Sequence, residues 1–493
     1  MRPRDERPDG AEPGEAASGG ATPGGPALGG ASSGGVGPAN RGSRNRRPSP
    51  GVGSILLIDL LALMIVVASA PATWLWLDSS HPSPIAAGGA TPGGQSSPLA
   101  PGASVVPSGS SDASAVASGL NAASAGPSPK LVYGDGTWAT VESLPRAEWG
   151  SGSAVLRDGR VLVAGGALAA SSNSATDSVT IYDPATGHWS AATHMLQPRA
   201  YPMVVTLDDG SVLAAGGSRN LQPLDTAERY YPENGTWVAA GRLNVPRTQG
   251  TLTLLADGRV LAAGGGMEGS PGWASTASAE IFDPKTGVWS LASPMSVTRA
   301  YHTATLLGNG EVLVAGGATT YNGTHGTVIR EAEIYNPRSN SWRSASRMAA
   351  ARYADAAALL PGGRVLVAGG WSLTTNDDPS LASAEIYDPA TNAWTVTGSL
   401  GDARGSLAMA GLPDGRVLAI AGVDPAYRVL ASTEIYDSVL GTWQGTGRLP
   451  VALERPAMGI LPDGRVLVAG GAIDATAGHV TAVCAVYSAR PPR

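Results

Sequence analysis

The chain has 493 residues, of which 67 are glycine and 38 proline; only 15% are charged, and the net charge is −6. An acidic chain of this kind carries no basic field for nucleic acid, and its single cysteine, Cys484, excludes an internal disulfide framework and a cysteine-based metal cluster. The length allows two or three domains, or one large β-architecture behind a linker.

Residues 1–53, with stretches such as GGATPGGPALGGASSGG, offer almost no apolar surface to offset ordering entropy. They are expected to be a disordered Gly/Ala/Pro-rich segment. The next stretch, SILLIDLLALMIVVASAPATWLWL at 54–77, is nearly all apolar and long enough to cross a bilayer as one helix. Asp59 is its one charge and lies near one end, while Trp74 and Trp76 stand where an interfacial aromatic belt would. Arg41, Arg44, Arg46 and Arg47 precede the span and Asp78 follows it. The positive-inside rule therefore predicts a signal-anchor with a cytoplasmic N-terminus and everything beyond residue 77 outside. A cleaved signal peptide is the alternative, because Ala68-Ser69-Ala70 has the form of a cleavage site. Residues 78–129 are a Ser/Ala/Gly/Pro-rich tract, expected to be a flexible tether.

From 130 to 493 the chain repeats itself. DGRVLVAGG stands at 158–166 and again at 463–471, with variants beginning at 209, 257, 309, 362 and 414, which makes seven copies. A second phrase follows six of them, as in IYDPATGHW (181–189) and IYDPATNAW (386–394). Its aromatic and its Trp are always seven residues apart, and each Trp precedes the Gly of the next turn by twenty-one. Only the gap between Gly-Gly and the aromatic varies, from 13 to 18 residues, so length variation is confined to one class of loop, such as 167–178, 267–278, 318–331 and 371–383.

Each unit of about fifty residues predicts four short strands. Asp-Gly between apolar runs signals a two-residue hairpin with both turn positions at positive φ. RVLVA predicts a strand buried on both faces, and Gly-Gly a place where a neighbouring aromatic, the Tyr or Trp of the next hairpin, approaches bare backbone. A four-stranded sheet of this size cannot bury both faces alone, so the units must stack.

The order of turn, apolar strand, Gly-Gly, variable loop, Tyr and Trp resembles the kelch repeat over about 131–487. The resemblance implies an all-β fold, a seven-bladed kelch β-propeller with one sheet per blade. The last unit has its aromatic, Tyr487, but no following Trp, whereas the first has Trp138 but no preceding strands. Residues 131–142 are therefore expected to supply the outer strand of the blade built from 455–487 and close the ring.

Ten residues after Trp189, Trp237, Trp289, Trp342 and Trp394 stand Arg199, Arg247, Arg299, Arg352 and Arg404; Arg146 and Arg455 are two places out of register. In kelch proteins this connection shares a face with the variable loops. An arginine per blade would there form a cationic rim suited to carboxylates or acidic sugars. Alternatively, each arginine bonds backbone carbonyls between blades and holds the ring. Tyr301 and His302 join the five arginines as ligand-binding candidates near the channel mouth. RAYH at 299–302 also resembles a copper-site stretch of galactose oxidase, a seven-bladed kelch enzyme. No copper site is expected, since Cys484 precedes the aromatic of an inner-sheet strand rather than starting a blade, and the chain ends with its propeller. The six histidines (81, 188, 194, 302, 325 and 479) have no ligand spacing, and no cofactor or metal is expected. The expected function is that of a non-catalytic binding module, a membrane-anchored monomer with an extracellular glycan or protein ligand. The alternatives are a carbohydrate-active or oxidase-type enzyme using an axial pocket, and a cell-surface spacer.

Overall fold

In the computed structural model, the phrase DGRVLVAGG becomes a tight turn, a buried strand and a sharp exit. Leu156 N–H donates to Arg160 O and Gly159 N–H to Leu156 O, at 2.8 and 2.9 Å. Of the Asp158-Gly159 pair only the glycine takes positive φ, at 86°. The hairpin is thus the three-residue kind with glycine in the left-handed region, not the two-residue turn expected from Asp-Gly. Asp158 instead braces the turn with its side chain, whose Oδ1 accepts the Arg160 N–H. The strand that follows, Val161–Ala164, is buried at every residue, as its unbroken apolar run requires.

The structure describes residues 136–489 except 170–173, 270–271, 322–325, 373–378 and 476–477. The expected disordered segment 1–53, membrane span 54–77 and linker 78–129 lie outside the described residues. Among those described, no helix is long and apolar enough to cross a membrane.

Seven four-stranded antiparallel sheets form the blades. Blade 1 runs inner to outer through Gly152–Val155, Val161–Ala164, Val179–Asp183 and His188–Ala191. Blades 2 to 6 repeat this plan from Met203–Thr206 to Thr442–Gly445. Blade 7 is composite: Ala457–Ile460, Val466–Ala469 and Cys484–Ala489 come from the end of the propeller, and Gly136–Val141 from its beginning. That first strand pairs antiparallel with the last, Trp138 opposite Tyr487. Each blade thereby has one aromatic pair across its outer hairpin, with ring centroids 5.0–5.2 Å apart, and such a pair contributes about 0.5–1.5 kcal/mol beyond its burial.

The core lies between blades rather than within them. Leu162 of blade 1 packs with Val204, Val212 and Tyr230 of blade 2. Leu418 of blade 6 packs with Val466 and Tyr487 of blade 7, and Val161 and Tyr182 of blade 1 with Leu461 and Leu467 of blade 7. The ring is closed by the same apolar contacts that stack its other members.

Candidate functional site

The site begins at Gly-Gly. Both glycines of each pair take positive φ, 66° and 107° at Gly165 and Gly166. What approaches them is not the expected aromatic ring but main chain. The N–H of the second glycine donates to the carbonyl of the residue ten places after the next Trp: Gly166 to Arg199 O, Gly217 to Arg247 O, Gly265 to Arg299 O, and likewise Gly317 to Arg352 O and Gly370 to Arg404 O. A Cβ on Gly165 would lie 2.5 Å from that carbonyl oxygen, too close for any side chain.

Held there by its backbone, each arginine sends its side chain into the following blade. Nη1 of Arg299 donates to Gly316 O at 2.8 Å and Glu331 O at 3.0 Å, while Nη2 reaches Glu333 Oε1 at 2.8 Å. Arg247 bonds Glu280, Arg352 Glu385 and Arg404 Glu434 in the same way, at 2.7–2.9 Å, and Arg199 bonds Glu228. All five arginines are 0% exposed. The other carboxylate oxygen then accepts backbone N–H groups of the connecting segment itself, as Glu385 does from Ala349 at 2.7 Å and Glu434 from Gly401 at 2.6 Å. The expected cationic rim therefore does not form, because the guanidinium groups are enclosed and neutralised. They tie each segment to the next blade, through the carbonyls anticipated from the sequence and through five glutamates that were not.

Those glutamates carried a signal. Each stands two residues before the blade's aromatic, in the same five blades whose entry segment has the arginine. Where the arginine position holds Glu148 or Leu453, the glutamate position holds Thr180 or Ala485.

Two residues beyond the arginine the chain turns about the axis. Gly150, Tyr201, Gln249, Tyr301, Ala354, Ser406 and Arg455 all take φ between 52° and 61°. They form a belt of turns whose main chains are linked in two arcs: Tyr201 N–H donates to Gly150 O in one, and Tyr301 to Gln249 O, Ala354 to Tyr301 O and Ser406 to Ala354 O in the other, at 2.9–3.0 Å. Only Gly150 adopts this conformation without strain. Tyr301 is buried, packed with Tyr353, Trp371 and Val423, and its hydroxyl is pushed well above the usual tyrosine range by burial. His302 is buried beside Thr251, its Nε2 3.3 Å from the hydroxyl. Burial, with Arg299 and Arg247 nearby, holds the ring well below the ordinary histidine range and hence neutral. Tyr301 lies in a belt turn and His302 directly after it, both enclosed by the protein.

Among the described residues, no group of three or more His, Cys, Asp or Glu side chains could hold a metal ion. Cys484 packs against Leu144, Val163, Ala457 and Ala469, and burial pushes its thiol up to about 12.

The variable loops leave from the same place. Ala167, Ser218, Gly266, Ala318, Trp371, Val423 and Ala472, the first residues after Gly-Gly or its equivalent, each bridge a mouth turn, as Ala167 does Trp149 and Trp371 does Tyr353. Two of these loops become hairpins, Gly266–Gly269 with Gly272–Ser275 and Ala318–Tyr321 with Gly326–Val328. Trp273 pairs with Tyr321 to join them into a four-stranded sheet that belongs to no blade. Nothing in the repeat announces that sheet.

The Kelch motif matches residues 199–244, 252–296 and 352–401. Kelch-like protein 23 of Homo sapiens is 29% identical over 226 residues, 46% of this chain and 38% of that protein. An F-box/kelch-repeat protein of Arabidopsis thaliana is 37% identical over 94 residues, 19% of this chain and 23% of its own length. The chain thus spans well under half the length of these relatives. Among solved structures, a fungal alcohol oxidase of the AA5 family in complex with copper superposes with a TM-score of 0.60 at 17% identity, over 73% of this chain and 79% of the oxidase. The protein YjhT does so with a TM-score of 0.50 at 13% identity, over 62% of this chain and 99% of its own. At such identities the likeness is one of fold. With the motif in three places, the phrase in seven and the ring closed by its first and last described strands, the chain carries Kelch motifs and folds as a seven-bladed β-propeller.

Proposed function

We propose that the propeller is a non-catalytic protein-interaction module, displayed outside the cytoplasmic membrane by the apolar span at 54–77. Kelch propellers typically bind protein partners, and the loop face supports the same use here. All spacing variation falls in loops that start at the mouth turns, and the hairpins of blades 3 and 4 build a sheet above the ring. That sheet is the observation that carries the reading. Variable segments on a rigid scaffold are where recognition is usually placed, and a broad platform suits a macromolecule better than a small substrate. A surface glycan is the second candidate for the same face. The arginines before residue 54 support the orientation.

Photo-crosslinking side chains at the exposed Asn220 and Thr327 in the variable loops, and at Asp158 and Asp257 in the opposite turns, test the binding face in intact cells. Adducts from the first pair alone are expected; adducts from the turns, or from neither pair, would refute it. Protease added outside intact cells should remove the propeller. Protection until the membrane is opened would reverse the topology.

A further inference from the structure

Arg455 is the belt residue of the turn between blades 6 and 7, with φ at 53°. Its five buried counterparts at the arginine position show how this fold satisfies a guanidinium, through two carbonyls on Nη1 and a carboxylate on Nη2. Arg455 has no such set. It is 7% exposed, and its guanidinium lies over the Trp149 ring, 5.0 Å from the centroid. Among the described residues its ion pair is from Nε to Glu454 Oε1 at 3.1 Å, and neither Nε nor Nη1 makes a hydrogen bond.

The surroundings are polar and aromatic together. Tyr301 stands three turns around the belt from Arg455, and its N–H donates to the Gln249 carbonyl at 3.0 Å. Tyr201 packs edge-on to Trp149, with centroids 5.5 Å apart. Gln249, on the same belt and 2% exposed, has its Oε1 without a donor among the described residues. A buried cation with unmade donors and a buried amide with an unmade acceptor each carry a desolvation cost that a protein partner normally offsets. Stacking on an indole fixes the plane of a guanidinium and leaves its edge open, the geometry that suits a planar carboxylate.

We propose that Arg455 binds the carboxylate of a small hydroxylated organic acid, of the sugar-acid class, at the axial mouth beneath the loop platform. Gln249 Oε1 accepts from a hydroxyl of the same molecule, and Trp149, Tyr201 and Tyr301 supply the aromatic walls for its C–H surface. The site is independent of whether the loops above bind a protein.

Thermal melts and calorimetric titration of the full chain test it, with D-glucuronate, D-galacturonate and lactate as probes and D-glucose and inorganic phosphate as controls. At least one carboxylate should raise the melting temperature of the wild type, as a ligand of the folded state must, and glucose should not. Arg455→Met combined with Glu454→Gln, which removes the buried ion pair whole, should abolish that shift and weaken binding roughly tenfold or more, while melting close to the wild-type temperature. Arg455→Lys, which keeps the charge but loses the fork, should bind about tenfold more weakly with little change in melt. The proposal is overturned if none of the three acids shifts the wild type, or if phosphate shifts it as much as they do. It is equally overturned if the double variant binds like the wild type, or if it fails to fold while Arg455→Lys binds like the wild type, since Arg455 would then be structural or a bare charge.

Discussion

Blades 2 to 6 are entered through segments that carry an arginine and answered by a glutamate on the third strand; blade 7 and blade 1 are not. At the entry to blade 7, Leu453 and Ala485 replace the pair with apolar side chains. At the entry to blade 1, Glu148 stands in the arginine's place, with Thr180 opposite. The backbone is the same in all three cases: Gly422 donates to Leu453 O and Gly471 to Glu148 O, as the other glycines do to their arginines. Indole bonding does not follow this division. Trp189 of blade 1 donates to a main-chain carbonyl of the preceding blade, as Trp237, Trp289, Trp342 and Trp394 do. In blade 6, which has the pair, the Trp443 indole N–H has no acceptor among the described residues, and in blade 7 Trp138 turns to the Thr433 hydroxyl. The contrast shows what the arginines do. The main-chain hydrogen bond makes the propeller joint; the buried ion pair is an addition, kept whole or replaced whole, because half of one leaves a charge without a partner.

The largest way to break this comparison is at the composite blade. Deleting 136–141 removes the partner of Cys484–Ala489 and bares a sheet edge. Loss of a cooperative melt, with aggregation, is expected. A truncated chain that melts like the wild type would mean that the ring does not depend on its first strand.

Next come the stapled junctions. Arg299→Ala strands Glu333 inside the protein and should lower stability by about 3–5 kcal/mol, read from urea unfolding. A cost below about 1 kcal/mol would show that the pair contributes no more than a surface contact. Sharper still is to copy the blade 7 solution into blade 6. Arg404→Leu alone should cost as much as Arg299→Ala, whereas adding Glu434→Ala should recover about 2 kcal/mol or more of that loss. Complete recovery is not expected, since Glu434 also accepts the Gly401 and Asp402 N–H groups. A double variant worse than the single would refute pairwise replacement.

The smallest effect concerns Glu148. Burial pushes its carboxyl up to about 7, against the Ser178 hydrogen bond that lowers it. A folded value above the unfolded 4.5 means that the folded state holds the proton longer. Stability from this group is therefore greatest below about pH 4.5, falls as pH rises towards 7, and stays lost above it. Glu148→Gln should flatten that slope and raise stability at pH 8 by up to roughly 3 kcal/mol. Asp355, also raised to about 7 by burial, will keep a slope of the same sign. An unchanged pH profile in the variant would contradict this role for Glu148.

How much of this could be read in the sequence follows from the range of each interaction. The blades and their closure were legible, because each strand repeats within about fifty residues and Trp138 and Tyr487 were each left without a partner. The arginines were visible as a column, but their burial was not. Arg247 and Glu280 meet across 33 residues, a distance at which no local period operates, and only comparing two columns blade by blade exposes the pairing. The belt was hidden for another reason. Tyr201, Gln249, Tyr301 and Arg455 are not residues that favour positive φ, so tertiary structure imposes what their own preference opposes. The sheet over blades 3 and 4 rests on one backbone pairing between two loops that share no motif.

The joining of Gly136 to Ala489 also sets a timetable. The strand that completes the ring leaves the ribosome before any blade exists, and its neighbour emerges about 350 residues later. At ordinary elongation rates that interval is on the order of tens of seconds. For all of it, Gly136–Val141 must remain unpaired while successive blades stack beside it. Assembly can therefore run blade by blade up to the sixth, but the final step belongs to the finished chain, and a ribosome that stalls late leaves an open arc with an unprotected edge.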